Sequence, residues 1–529
     1  MNENKICFIT CTNDEVLYEE SVRYIRSLYV PDGFEVVFVS IRDAKSLTEG
    51  YNRAMKQSDA KYKVYLHQDT FIINKNFIFD VVNLFMKHSK LGMMGVVGAG
   101  KMPPNGKWWE EAQKFGKVWA NSYTKKMELL AFNEIVEDYK TVEAIDGLIM
   151  TTQYDILWRE DVFTDWHYYD ASQTCEFIRA GLDVGVPRQS QPWCLHDCGA
   201  LNMKKYDEQR EIFIHEYSKD LFPLVSILIP TYNRPDYFRQ ALESVLNQTY
   251  KNIEIVICDD STNDETEKLI KNYLVNHPNI RYYRNEKNLG QFKNDLKCMD
   301  LAKGNYVNFL MDDDLFHPEK IDKMMWYFIA DDTEEISLIT SHRQVIDRYG
   351  NHLTDWYATQ RLFHEDRIID GIAFGELLLK NVTNFIGEPT TVLFRRNSLH
   401  EQFGTFCGRD NGCTVDLASW LNLLSEGKIV YISETLSYFR IHEGQQLQSS
   451  KMLLLGRVDF AHQILNAKSK GFFRNNSDYL SAITSGISFI ERFYPQLEDV
   501  DKQTKEYQEL LLYDEILHKE KKSNSVINS

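Results

Sequence analysis

Between Val225 and Asp314 short apolar runs alternate with amphipathic stretches, which restricts the segment to a sheet of parallel strands joined by right-handed helical crossovers. Val225 to Pro230 is a continuous apolar run. Pro235 opens a helix through Gln248, with Phe238, Leu242, Val245 and Leu246 near helical spacing, and Ile253 to Cys258 is a second buried strand. A helix over Asp264 to Leu274, a strand over Ile280 to Tyr283, a helix over Gly290 to Ala302 and a strand over Tyr306 to Met311 follow. The last strand runs into Asp312, Asp313 and Asp314, and in open α/β sheets the carboxyl ends of strands are where ligands bind.

The beginning of the chain repeats this plan in shorter form. Ile6 to Thr10, Glu15 to Leu28, Phe34 to Ser40, Leu47 to Lys56 and Tyr62 to Leu66 read as strand, helix, strand, helix and strand, and the last of them runs into His67-Gln68-Asp69. Asn13 and Asn233 each follow a first strand, so the pattern reads as an internal duplication of fold. With 529 residues available, the expected organisation is one α/β domain over 1–218, a second over 219–450, and a helical extension over 451–529 whose polar end, Lys519 to Ser529, is expected to be disordered.

Charge and cysteine usage narrow the partners. A formal net charge of -17 argues against nucleic acid but leaves room for an anionic small molecule, because a divalent cation and a few arginines reverse the potential locally. The N-terminus lacks the apolar stretch of a signal peptide, and no run of about 18 apolar residues occurs. The expectation is a cytoplasmic protein with no transmembrane segment, for which peripheral association is the one membrane contact left open. Nine scattered cysteines read as reduced thiols, and Cys194, His196 and Cys198 lack the second pair that a zinc knuckle requires.

Two carboxylates one residue apart at a strand end can converge on a hard cation that bridges a diphosphate, and Asp312 and Asp314 have that spacing. Alone, such a pair is more often a solvated turn. Here it accompanies Pro230-Thr-Tyr-Asn-Arg234, Cys258-Asp-Asp-Ser-Thr-Asn-Asp264, Asn288-Leu-Gly290 and Phe309-Leu-Met-Asp-Asp-Asp-Leu-Phe-His-Pro318. Together these motifs resemble the family 2 glycosyltransferases of GT-A fold over about Leu224 to Ser450. The resemblance implies tandem Rossmann-like, mostly parallel GT-A domains and transfer of a sugar from a nucleotide diphosphate donor, a UDP-sugar, to a glycan or glycoprotein. It implies that Pro230, Tyr232, Arg234 and Asp259 or Asp260 hold base and ribose, that Asn288, Gly290 and Asp313 contact the donor, and that Asp312 and Asp314 flank Mn2+ or Mg2+.

Asp416-Leu-Ala-Ser-Trp420 resembles the family's Glu-Asp element, which implies Asp416 as the base of an inverting displacement. Val415 stands where a glutamate is common, and Asp410 is a rival nearby. Arg440-Ile-His442 resembles an Arg-x-His whose histidine completes the metal shell or touches phosphate, and the missing Gln-x-x-Arg-Trp pattern implies one sugar per visit. In the first half, Gly50-Tyr-Asn52, Tyr65-Leu-His-Gln-Asp-Thr70 and Asp165-Trp-His-Tyr-Tyr-Asp170 look like a more distant glycosyltransferase-2-like group. That likeness implies Asn52 and Asp146 as donor-side residues, Asp170 as base, and His67, Asp69 and His196 around a cation.

Three readings follow: a bifunctional enzyme, one active transferase whose other half binds acceptor or scaffolds a partner, and a nucleotidyltransferase. The last is disfavoured because no glycine- and lysine-rich loop follows a first strand.

Overall fold

The computed structural model describes residues 1–121, 126–199, 203–443 and 449–526. The chain divides into two compact units, Met1–Phe222 and Pro223–Ser529. Both are α/β, and among the described residues no helix is long and apolar enough to cross a membrane.

In the first unit Asn2–Cys11 lies between Glu35–Ile41 and Ala60–Leu66, parallel to both, within a seven-stranded sheet. The crossover helices begin where short polar side chains satisfy free helix amides. Asp14 accepts from the Val16 and Leu17 amides at the head of Glu15–Arg26, and Ser46 accepts from the Glu49 amide at the head of Leu47–Lys56. Beyond this nucleus the sheet is mixed, because Ile149–Thr152 enters antiparallel between Ala60–Leu66 and Leu91–Gly95. A second sheet carries Cys194–His196, paired antiparallel with Thr70–Ile72, and so brings His196 beside the end of Ala60–Leu66.

The second unit has the same nucleus with one more crossover. Its nine-stranded sheet begins in the order Ile280–Arg284, Ile253–Asp259, Val225–Thr231, Tyr306–Phe309, all parallel. Leu393–Arg395 then enters antiparallel to both its neighbours, and beyond it Ile336–Ile346 and Lys428–Arg440 pair parallel again. The 13-residue strand Lys428–Arg440 runs along Ile336–Ile346 and delivers Arg440 and His442 to the acidic turn.

The helices Ser450–Asn466, Asn476–Glu491 and Lys505–Val526 share one core with the sheet: Trp420, Leu454, Val458, Ile483 and Leu517 belong to the same buried cluster. The expectation of a disordered tail from Lys519 is corrected here, since the last helix runs on to Val526. Leu510 and Leu517, seven residues apart and both buried, seat it against its two neighbours, and the Asn524 amide donates to the Glu520 carbonyl oxygen at 2.9 Å. Residues 527–529 lie outside the described residues.

Candidate active sites

At the carboxyl ends of the second unit's parallel strands, polar side chains first secure their own loops. The Asp260 carboxylate accepts from the backbone amides of Leu289 (2.8 Å) and Gly290 (2.9 Å) and from the Asn285 side-chain amide (2.8 Å), pinning the Asn288–Gly290 turn against the strand. Gly290 has φ +81°, a left-handed conformation open to glycine without strain, and the helix Gln291–Leu301 starts directly after it. Asp259 is fully buried, taking a hydrogen bond from the Tyr282 hydroxyl (2.6 Å) and one from the Ser261 amide (2.9 Å). Of the alternatives for the ribose, Asp259 is therefore turned into the fold. Pro230 is likewise buried within its strand, whereas Tyr232 is 47% exposed.

The three aspartates sit on a turn, closed by the Asp314 amide donating to the Met311 carbonyl (3.0 Å), so the two-residue period of an extended strand does not apply. Asp312 accepts from the Thr231 hydroxyl (2.9 Å), the Tyr232 amide (3.1 Å) and Arg234 (3.2 Å). Burial, with Asp313 next to it, pushes its pKa up to about 6. The Asp313 carboxylate meets both Arg234 and His442 at 2.9 Å, and the His442 contact raises that histidine's pKa. Asp314 points the other way, accepting from the Thr390 hydroxyl (2.6 Å) and the Arg440 amide (2.9 Å). Burial drives its pKa far above the usual carboxylate range.

This arrangement corrects the pairing of Asp312 with Asp314 around a cation. The pair brought together is Asp313 and His442, and Asp314 is a structural acid. Asp314→Ala should lower the unfolding free energy by about 1–3 kcal/mol by leaving the Arg440 amide and Thr390 without their partner. Asp314→Asn, which can bond both, should recover most of the loss, and thermal denaturation of the two variants checks this.

Asp416 is the second residue of the helix Val415–Glu426, half-buried, and accepts from the Asn384 side-chain amide at 2.8 Å. Burial, opposed by the backbone amide of Leu417 and reinforced by the charge of Glu388, raises its pKa to about 7. Asp410 is exposed and bonded to Thr405 (2.7 Å) across a two-stranded hairpin.

The first unit repeats part of this constellation. The Thr70 amide donates to the His67 carbonyl (3.2 Å), closing the same turn. Gln68 takes the part of Asp312, its carbonyl oxygen accepting from the Thr12 hydroxyl (2.8 Å) and the Asn13 amide (2.9 Å). Asp69 then corresponds to Asp313, and His196, 3.5 Å from it, to His442. Asp170 corresponds to Asp416: it too is the second residue of a helix, Tyr169–Arg179, and burial beside Asp146 pushes its pKa up to about 7.

His67, Asp69 and His196 offer three ligand atoms within 4.8 Å of one another, the only such group among the described residues. Asp69 Oδ1 is buried with nothing nearer than the 3.5 Å contact to His196, so the donor set suits a divalent transition cation. In the second unit Asp313 and His442 supply two ligands, which suits a cation that keeps water and takes oxygens from a bound diphosphate. Burial and the adjoining His196 lower the His67 pKa, and its Nε2 is 2.5 Å from the Tyr169 hydroxyl. Of the trio, His67 lines a cavity of about 1040 Å³ walled by Trp108, Trp109, Trp166 and Tyr206, with Asp146 and Asp170 also on its lining.

Asn52 is a correction: 2% exposed, it exchanges two hydrogen bonds with the backbone of Trp158 (2.9 and 3.0 Å) and holds a loop, with no face left for a donor. The Cys194 and Cys198 thiols do not join His196; Cys194 is fully buried and Cys198 donates to the Asn121 carbonyl. Two residues that motif reading passed over are Asn384, which orients Asp416, and Thr390, which fixes Asp314. Neither lies in a motif, and only the sheet's antiparallel return brings them near.

With this geometry in hand, comparison with known proteins finds that residues 7–217 match the model described as "Glycosyltransferase like family" and residues 226–403 the model "Glycosyl transferase family 2". An uncharacterized glycosyltransferase of Methanocaldococcus jannaschii is 33% identical over 145 residues, 27% of this chain and 49% of its own length. A chondroitin synthase of Escherichia coli is 35% identical over 135 residues, 26% of this chain and 19% of its own length. The chain thus spans about half, or less, of these relatives. Among solved structures, residues 1–349 of S. aureus TarS align with 18% identity and a TM-score of 0.41, covering 55% of this chain and 80% of that one.

Proposed function

Starting from a chain that carries a glycosyltransferase-like domain followed by a glycosyl transferase family 2 domain, we propose a non-processive enzyme with two transfer sites. Each moves a sugar from a nucleotide diphosphate donor to a glycan or glycoprotein hydroxyl. The observation that carries this reading is the duplicated constellation, Asp313, His442 and Asp416 in one unit and Asp69, His196 and Asp170 in the other, each with a half-buried carboxyl of pKa about 7 at the head of a helix. A unit kept only for binding has no need of a carboxyl poised near neutral pH.

In the second unit the donor is a UDP-sugar. Tyr232 offers an exposed ring to the base, and Arg234 with the Asn288–Gly290 turn, stiffened by Asp260, lines the diphosphate side. Asp416 takes the proton of the acceptor hydroxyl as that oxygen bonds to the anomeric carbon, while the bond from that carbon to the diphosphate breaks with its electrons going to UDP. Attack opposite the leaving group inverts the anomeric centre. Asp313 and His442 would hold Mn2+ or Mg2+, which when bound supplies positive charge for the departing diphosphate. Arg234 remains against Asp312 and Asp313 and keeps that turn in place.

A radiolabelled UDP-sugar panel with Mn2+ tests the reading. UDP release is expected with at least one donor and is expected to stop in EDTA. Full release in EDTA, or none with any donor, would remove it.

A further inference from the structure

The helix that carries Asp416 starts without a cap of its own. Thr414 stands at the N-cap position but its side chain does not bond the helix amides. The residues that lead into it are held instead from the C-terminal helices. Asp459, on Ser450–Asn466 and fully buried, accepts from the Cys413 amide at 2.7 Å and the Thr414 amide at 3.0 Å. Its other oxygen accepts from Arg409 at 2.7 Å, and Arg409 is held in turn by Glu509 of the last helix at 3.0 Å. One turn further along, the Gln463 side-chain amide donates to Asn411 Oδ1 (3.1 Å) and to the Thr414 hydroxyl (2.9 Å).

The approach to Asp416, from Arg409 to Thr414, is therefore held from a helix 45 to 52 residues later in the chain. A cap from within the segment would stabilise the helix equally well. The hold from Ser450–Asn466 does something else: it grips the Cys413 and Thr414 amides just ahead of Val415 and so sets where the helix head lies against the sheet. We propose that Ser450–Asn466 is an active-site element of the second unit, with Asp459 the positioning residue that fixes the aim of Asp416. The proposal rests on the reading of Asp416 as base.

The test uses the full chain, the UDP-sugar turned over in the panel, and UDP itself as the binding probe. Asp459→Asn, which weakens the grip on both amides, should lower kcat by about 10-fold or more, since a displacement of the order of 1 Å is enough to cost that much. The KM for donor and the Kd for UDP should stay within about twofold, because neither Asp459 nor Asp416 holds the donor. In the double variant with Asp416→Asn the Asp459 substitution should add nothing, since both losses act through one carboxylate. A general structural role would instead move KM with kcat, or make the double variant multiplicatively worse, and either result overturns the proposal. Should Asp459→Asn fail to fold, Gln463→Ala is read against the same criteria. If Asp416→Asn alone leaves kcat intact, the base reading falls and this inference with it. If Asp416→Asn abolishes transfer while Asp459→Asn has no effect, only the positioning role is lost.

Discussion

Asp416→Asn is expected to slow sugar transfer by the second unit about 100-fold or more while UDP affinity stays unchanged. The substitution keeps the shape of the side chain and its place at the head of the helix, and it removes only the capacity to take a proton. The pH dependence follows from the same group. Burial raises its pKa from 3.8 to about 7, so below pH 7 it is protonated and cannot act as base. kcat/KM should fall about tenfold per pH unit on the acid side and level off above pH 7. The residual rate of Asp416→Asn should lack this limb. Because the folded chain binds this proton more tightly than the unfolded chain, the group's contribution to stability declines as pH rises from 3.8 towards 7. Asp410→Asn should leave transfer as it was, since that carboxylate is exposed and spent on a hairpin contact with Thr405.

Asp313→Ala should have the second large effect, a loss of roughly 100-fold in Mn2+-dependent UDP release, equivalent to about 3 kcal/mol of charge stabilisation. Asp313 is the acid of the three that meets His442, and its removal leaves a lone imidazole to hold a cation. The thermal stability of this variant should change less than that of Asp314→Ala, because Arg234 keeps its bond to Asp312. Comparing rate and melting temperature for the two variants separates the cation-side acid from the structural one. Equal loss of stability with equal retention of activity would contradict the assignment.

The parallel nucleus of both units is legible in the sequence because buried strands alternate with helices whose starts are marked by Asp14, Ser46 and Pro235. The register of the acids is harder to read. Two acids one residue apart at a strand end suggest that Asp312 and Asp314 converge, but the chain turns at Met311 and brings Asp313 to His442 instead. Aligning Leu66-His67-Gln68-Asp69 with Leu310-Met311-Asp312-Asp313 contains that answer, since it sets Gln68 opposite Asp312 and Asp69 opposite Asp313. Asn52 misleads for another reason: a polar residue on an amphipathic helix looks available until the Trp158 loop folds over it. The tie from Asp459 to the Cys413 and Thr414 amides leaves no trace in local pattern, because long-range capping depends on tertiary packing.

Calorimetric titration of the full chain with UDP in Mn2+ tests most directly whether the chain holds two donor sites, without knowledge of either acceptor. The unsubstituted chain should bind two UDP molecules. Asp69→Ala and Asp313→Ala should each bind one, and the double variant none. A single UDP per chain that is lost with Asp313→Ala and untouched by Asp69→Ala would contradict the two-site account and leave the first unit a binding module.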